Sequence, residues 1–202
     1  MIPEMQQIDS KRRAPQFIVF AMIFLPVLLS FLVLWQTHQV SAQSPAQPSV
    51  KLQSSSFPDG GAIPRRFTCD GADISPSLQW PAPPAGTKSL AIVMDDPDAP
   101  VDFTHWLAYN IPPDSHGLEE GASAQASMTK GSDQGINDFR RLGYGGPCPP
   151  PGKPHHYVFR LYALDIRLNL PSGATKRQLE SAMERHIVAE HQIIGIYRRT
   201  GE

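Results

Sequence analysis

Short apolar runs, separated by polar and proline-bearing stretches, recur along this chain and predict β-strands more often than helices. The run at 155–164 is the clearest buried strand, because it is rich in aromatic and other strand-favouring residues. The segments predicted as strands are 50–54, 78–80, 89–94, 106–111, 155–164 and 192–197. A long loop is predicted at 57–77, and 112–134 carries only weak strand signals.

One helix is indicated by its local pattern. Thr175 and Gln178 have the spacing of a capping box, and apolar residues then recur at helical spacing as far as Ile187. Strands and helices do not alternate along the chain, so a parallel doubly wound sheet is disfavoured. The pattern therefore predicts a mainly β fold, mostly antiparallel, with one or two helices.

The N-terminal segment has a different pattern from the rest. Lys11, Arg12 and Arg13 precede an uncharged run of nineteen residues at 17–35, and small residues follow at 40–42, where a signal peptidase would read them. The run is also just long enough to span a bilayer, so a cleaved signal peptide and an uncleaved anchor both stay open. Either one predicts that the remainder is exported and lies in the periplasm or is tethered to the inner membrane. The predicted segments are a signal or anchor helix at 1–42, a linker at 43–49 and a folded domain at 50–202.

Composition and charge narrow the classes of function. The formal net charge is −1, and with no basic stripe there is no electrostatic case for a nucleic-acid partner. The chain has 21 prolines in 202 residues, about twice the average share of roughly 5%. Such a content favours many loops and few long helices.

The two cysteines, Cys69 and Cys148, both lie in the part predicted to be exported. An oxidising compartment allows a disulfide between them if the fold brings their Cα atoms within about 7 Å. We predict that disulfide, and the alternatives are two small buried hydrophobic residues or one reactive thiol.

The first candidate for chemistry is the stretch MDDPDAPVDFTHW at 94–106, which carries Asp96 and His105 between two apolar runs. Its prolines, Pro97 and Pro100, restrict the backbone and hold the acidic side chains in one geometry. That rigidity suits a binding site, and a solvated acidic turn is the plainer alternative.

The second candidate is the glycine- and proline-rich loop at 143–152, which leads into His155, His156 and Tyr157. Two imidazoles, a carboxylate that orients one of them, and glycines that expose backbone N–H groups predict an anion pocket. The alternative is a pair of surface histidines entering a strand, of which the alternation of side chains sends only one inward.

Both stretches resemble one known family. The motif DPDAP at 96–100, followed by His-Trp, and the motif GPCPPPGKPHHY at 146–157 are similar to the phosphatidylethanolamine-binding protein family, in particular its bacterial Raf-kinase-inhibitor-like branch. Ser75-Pro76 and the ending at 194–198 also resemble that branch, and the similarity covers about 50–199. The resemblance implies a large antiparallel sheet packed on a smaller sheet, with one or two peripheral helices. It also implies a small surface pocket for phosphate or phosphorylated head groups.

Carried over by position, the resemblance implies a set of ligand-binding residues on two walls of the pocket. They are Asp96, Ala99, Pro100, His105, Gly146, Pro149, Pro150, His155 and Tyr157. In the family's animal members an arginine follows the strand histidine, and His156 stands at that position here.

A non-enzymatic binding or regulatory protein is the favoured class of function, with no cofactor and no metal. The family includes binders of lipid head groups and inhibitors of kinases and proteases, so a kinase or protease target is a candidate protein partner. The sequence contains no G-x-S-x-G, H-E-x-x-H or P-loop motif. Two alternatives remain: a hydrolase with a triad built from Cys148 and His155, or a metal-dependent enzyme that uses Asp96, His105 and His155.

Overall fold

Four long strands form the centre of the fold, and their apolar sequences explain their position. The computed structural model describes residues 49–124, 128–129 and 131–200. Within them the strands are β1 (Gly61–Ala62), β2 (Leu78–Gln79), β3 (Ser89–Asp96), β4 (Phe103–Ile111), β5 (Gly117–Leu118), β6 (Asp133–Gln134), β7 (His155–Leu164) and β8 (Ile187–Tyr197). Helix α1 spans Lys176–Met183, and two short 3-10 helices span Arg65–Phe67 and Ala122–Ala124. All residues of β3 are buried, as expected for the middle strand of a sheet covered on both faces.

The described strands form two sheets. The large sheet has the order β1-β8-β7-β3-β4-β6, and the small sheet pairs β2 with β5. This arrangement, with one α-helix in the part of the chain that the structure describes, confirms the predicted fold class of a large sheet on a smaller one. The large sheet is mixed, however, because β1 runs parallel to β8 at one edge. The turn before β1 leads the chain alongside β8, where the Gly60 N–H donates to the Ile194 carbonyl at 2.7 Å.

Three local predictions differ from the structure. The strand predicted at 50–54 is reduced to a single bridge between Gln53 and Gln79. The loop predicted at 57–77 contains β1 and the first 3-10 helix. Ile187 begins β8 instead of continuing α1, because Glu184 leaves the helical conformation and Arg185 adopts a left-handed one with φ 70°.

Side chains on the two faces of the large sheet enter two separate cores. On β3, Leu90, Ile92 and Met94 join the core that also takes side chains of the small sheet, and Ala91 and Val93 join the core under α1. The alternation of a strand continues through the next two residues, so Asp95 and Asp96 lie on opposite faces. That placement positions the candidate site.

No described helix has the length and apolar character needed to cross a bilayer. The signal or anchor predicted at 1–42, including its apolar run at 17–35, lies outside the described residues, as does all of the predicted linker except Ser49.

Candidate functional site

His105 occupies a β-bulge in β4. Met94 of β3 pairs with Trp106 and Asp95 pairs with Thr104, so His105 is one extra residue opposite two consecutive residues of β3. A bulge bends its strand and redirects the extra side chain. The His105 ring packs perpendicular to the Tyr157 ring, with centroids 5.1 Å apart.

Asp96 holds His155 in one orientation. Its Oδ2 lies 2.8 Å from Nδ1 of His155, and both side chains are nearly buried, with 5% and 12% exposed. Its Oδ1 accepts the backbone N–H of Asp98 at 2.9 Å. Because a carboxylate only accepts, His155 donates through Nδ1 and keeps Nε2 for another partner. Both oxygens of Asp96 are engaged, so this residue positions the imidazole.

His105 is held in a similar way by the glycine-rich loop. Its Nδ1 donates to the Gly145 carbonyl at 2.7 Å, which again leaves Nε2 for another partner. Burial lowers the pKa of His105, and the Gly145 carbonyl and the Asp96 carboxylate act in the opposite direction without cancelling that effect. The neutral imidazole is therefore favoured near pH 7.

The Tyr157 hydroxyl is buried near the Asp96 carboxylate and the Cys148 backbone, but no described residue meets it with the geometry of a hydrogen bond. Burial raises the pKa of Tyr157, and the nearby Asp96 carboxylate raises it further, so the phenol stays protonated. A buried hydroxyl without a partner costs about 1–3 kcal/mol. A bound ligand that accepted this hydrogen bond would remove that cost.

The glycine-rich loop does not offer its N–H groups in the way predicted from the sequence. Gly145 donates to the His105 carbonyl at 2.9 Å, and Gly146 donates to Oδ1 of Asp73 at 2.7 Å. Gly146 is required by close packing, since a Cβ there would lie 2.4 Å from the Phe67 carbonyl oxygen. The N–H groups of Gly145 and Gly146 are therefore already paired within the protein, and this part of the loop supports the site instead of offering donors to a ligand.

The remaining predicted residues lie in the two loops that border the site. Ala99 is half-buried and Pro100 exposed in the loop between β3 and β4, while Pro149 is buried and Pro150 exposed in the loop before β7. These side chains carry no polar group, so they border the site without hydrogen-bonding a ligand.

His156 points away from the site and fixes the first of these loops. Its backbone N–H and its Nδ1 both lie 2.7 Å from Oδ2 of Asp98, and these two hydrogen bonds lower the pKa of Asp98. The structure thus adds two supporting carboxylates that the sequence analysis did not assign, Asp98 and Asp73. Asp98 belongs to the DPDAP motif, so its role could have been predicted from the sequence. Asp73 lies in a loop where no sequence pattern indicates such a role.

The two cysteines form a disulfide, with Cα atoms 5.4 Å apart. The Cys69 N–H also donates to the Pro147 carbonyl at 3.1 Å. A triad with Cys148 would need a free thiol, which the disulfide does not provide. Among the described residues, no group of three or more His, Cys, Asp or Glu side chains is arranged to hold a metal ion.

Comparisons with known proteins identify the family of this chain. Residues 53–198 match the family model described as phosphatidylethanolamine-binding protein. A UPF0098 protein of Methanothermobacter thermautotrophicus is 52% identical over 151 residues, covering 74% of this chain and 99% of that protein.

Two solved structures share the fold. The phosphatidylethanolamine-binding protein homologue CT736 of Chlamydia trachomatis has a TM-score of 0.69 and 36% identity, covering 76% of this chain and 99% of its own. YbcL of E. coli, described as a member of the mammalian PEBP family, has a TM-score of 0.71 and 32% identity, covering 75% of this chain and 99% of its own. The chain therefore belongs to the phosphatidylethanolamine-binding protein family.

Proposed function

We propose that this chain is a non-enzymatic binding protein whose pocket takes phosphate or a phosphorylated head group. Membership of the family supports a binding or regulatory role in general. The observation that carries the finer proposal is the Tyr157 hydroxyl, which is buried without a hydrogen-bond partner beside the Asp96–His155 pair. Phosphate oxygens are acceptors, and they match a phenol together with imidazoles whose Nε2 atoms can carry a proton.

The charge of the site makes binding depend on pH. Asp96 and Asp98 are negative, so an anion gains most when an imidazole is protonated. Without a ligand, burial lowers the pKa of His105. A bound anion raises that pKa, because the negative charge favours the protonated imidazole. Binding therefore takes up a proton, and affinity rises as the pH falls below the reference histidine pKa of about 6.5.

The test is calorimetric titration of the domain with phosphate, phosphoethanolamine and sulfate. His155→Ala is expected to weaken binding by about 1.5–3 kcal/mol, the range for a charge-assisted hydrogen bond. His186→Ala is the matched control, because His186 forms a similar pair with Asp165 at 2.8 Å outside the pocket. Sulfate keeps one charge state across this range, so its pH dependence reports protonation of the protein alone. Equal affinity of the wild type and His155→Ala at both ends of the range would remove His155 from the site.

The partner chemistry follows from the same pocket. A phosphorylated small molecule or lipid head group fits its side-chain donors, and a protein target such as a kinase or protease remains a prediction of the family resemblance. The wild type failing to bind phosphate, phosphoethanolamine and sulfate would contradict the proposal and favour a function through protein contacts alone.

A further inference from the structure

Arg141 lies beside two residues that support His105 in the candidate site, Gly145 and Phe139. Its Nη2 is 3.0 Å from the position that a Cβ of Gly145 would occupy, and Gly145 is the residue whose carbonyl accepts from His105. Its guanidinium stands over the Phe139 ring at 5.3 Å, and that ring packs edge-on against the His105 ring at 5.2 Å. The Arg141 guanidinium is thus separated from the His105 ring by the Phe139 side chain.

The backbone of Arg141 is fixed before any ligand arrives. The turn is closed by the Asn137 N–H, which donates to the Arg141 carbonyl at 2.9 Å, and by the Arg141 N–H, which donates to Oδ1 of Asn137 at 3.0 Å. Asn137 is buried and its amide also donates to the Gly143 carbonyl at 2.9 Å. The side chain therefore starts from a rigid base, which reduces the entropy that binding would cost.

The guanidinium keeps donors for a further partner. Among the described residues its hydrogen-bond partner is Asp73 alone, at 3.0 Å, and 52% of the side chain is exposed. An arginine has five N–H donors in a planar fork, so one bond to Asp73 leaves most of them available. An exposed ion pair contributes little to stability, so the pair with Asp73 does not by itself explain a cation held at this place.

The geometry points to Arg141 as a specificity-determining residue that binds a second anionic group of the ligand, an inference that rests on the proposed function. A phosphorylated ligand that also carries a carboxylate is preferred over one that carries only an ammonium group. The phosphate meets His105, His155 and Tyr157, while the carboxylate meets the free edge of the Arg141 guanidinium. Charge repulsion disfavours a cationic substituent at the same place.

Two commercial ligands test this, because O-phosphoserine differs from phosphoethanolamine by one carboxylate. Calorimetry of the wild type is expected to show O-phosphoserine binding about fivefold more tightly, the upper range for a partly exposed ion pair. Arg141→Gln is expected to abolish that preference, chiefly by weakening the binding of O-phosphoserine. Arg141→Lys, which keeps the charge but not the fork, retains part of the preference. Arg177→Gln is the control, since Arg177 is exposed on α1 at the other face of the large sheet.

The outcomes separate this inference from the proposed function. Failure of both ligands and of phosphate to bind the wild type would defeat the proposed function. Binding of both ligands with equal affinity, or a preference that survives in Arg141→Gln, would overturn the role of Arg141 and leave the pocket intact. An equal loss of affinity for both ligands in Arg141→Gln would make Arg141 a support of the loop, and that result also overturns the inference.

Discussion

Neighbouring carboxylates of β3 serve different purposes because a strand sends them to opposite faces. Asp96 faces the candidate site and orients His155, whereas Asp95 faces α1 and accepts from Arg160 and Lys176, each at 3.0 Å. Burial raises the pKa of Asp95, and the hydrogen bond from Lys176 opposes this effect. The acidic motif therefore combines one residue that orients an imidazole of the candidate site with one that joins helix and sheet.

The sharpest test at this scale is Tyr157→Phe. Removing a buried hydroxyl without a partner is expected to leave the free energy of unfolding unchanged or raise it by up to about 1 kcal/mol. The same change is expected to weaken phosphate binding by about 1 kcal/mol or more, because the ligand loses a donor. Chemical denaturation and calorimetry measure the two quantities. A variant that is clearly less stable and binds phosphate normally would show that the hydroxyl has a structural role instead.

At the scale of elements, the loop between β3 and β4 is held in place by residues of other elements. The loop between β3 and β4 is bound by His156 at Asp98 and by Lys176 at Asp102, where the Lys176 Nζ lies 2.5 Å from Oδ2. Lys176 also bonds Asp95, so the first residue of α1 connects the helix, a buried strand residue and the loop. Ala99 and Pro100 are thereby held at one edge of the site.

Lys176→Ala is expected to lower the free energy of unfolding by about 1–3 kcal/mol, because Asp95 is buried and keeps only part of its partners. Losing Lys176 also removes an effect that lowers the pKa of Asp95. The destabilisation is therefore expected to shrink as the pH falls toward the ordinary carboxyl pKa of about 3.9, where protonation removes the unpaired charge. Denaturation across that range measures it, with the exposed neighbour change Arg177→Ala as control. Matching losses in the two variants would contradict the role given to Lys176.

The sequence predicted those elements whose pattern is local. The strand at 155–164 and the capping box at Thr175 and Gln178 agree with the structure, because alternation and cap chemistry act over a few residues. The bridge at Gln53 and the hydrogen bond from Gly146 to Asp73 were not predictable, because each depends on a partner far along the chain. The use of the loop N–H groups was wrongly predicted for the same reason, since their acceptors come from other elements.

At the scale of the molecule, the disulfide connects two loops 79 residues apart and lies beside the site. On the chain-entropy model it contributes roughly 4–5 kcal/mol, an upper figure. Other links join the same loops, including the bond from Gly146 to Asp73 and the bond of 2.7 Å from the Tyr144 hydroxyl to the Phe67 carbonyl. The loops are therefore expected to stay together locally when the disulfide is lost, although the chain as a whole becomes less stable.

We propose that the domain works outside the cytoplasm, where this disulfide persists. Exported protein is expected to show no free thiol under non-reducing conditions. Its N-terminus is expected to be Gln43 if the signal is cleaved, or Met1 or Ile2, in the membrane fraction, if the segment is an anchor.

The double change Cys69→Ser with Cys148→Ser is expected to lower the free energy of unfolding by up to roughly 4–5 kcal/mol. Two titratable thiols in the exported protein, or recovery of the full-length chain from the cytosol, would contradict this.

The bulge at His105 also limits how the chain length can vary. Removing one residue between Thr104 and Trp106 would give β3 and β4 a regular pairing at this point. The same deletion would either remove the imidazole from the site or turn it to the other face of the sheet. One residue added between Thr104 and Trp106 would widen the bulge and change the direction of the His105 side chain. The loop at 97–102 has no such restriction at its exposed tip, where Val101 is 71% exposed. Changes of chain length are thus expected to be tolerated at this loop tip and to disturb the site at the bulge that carries its histidine.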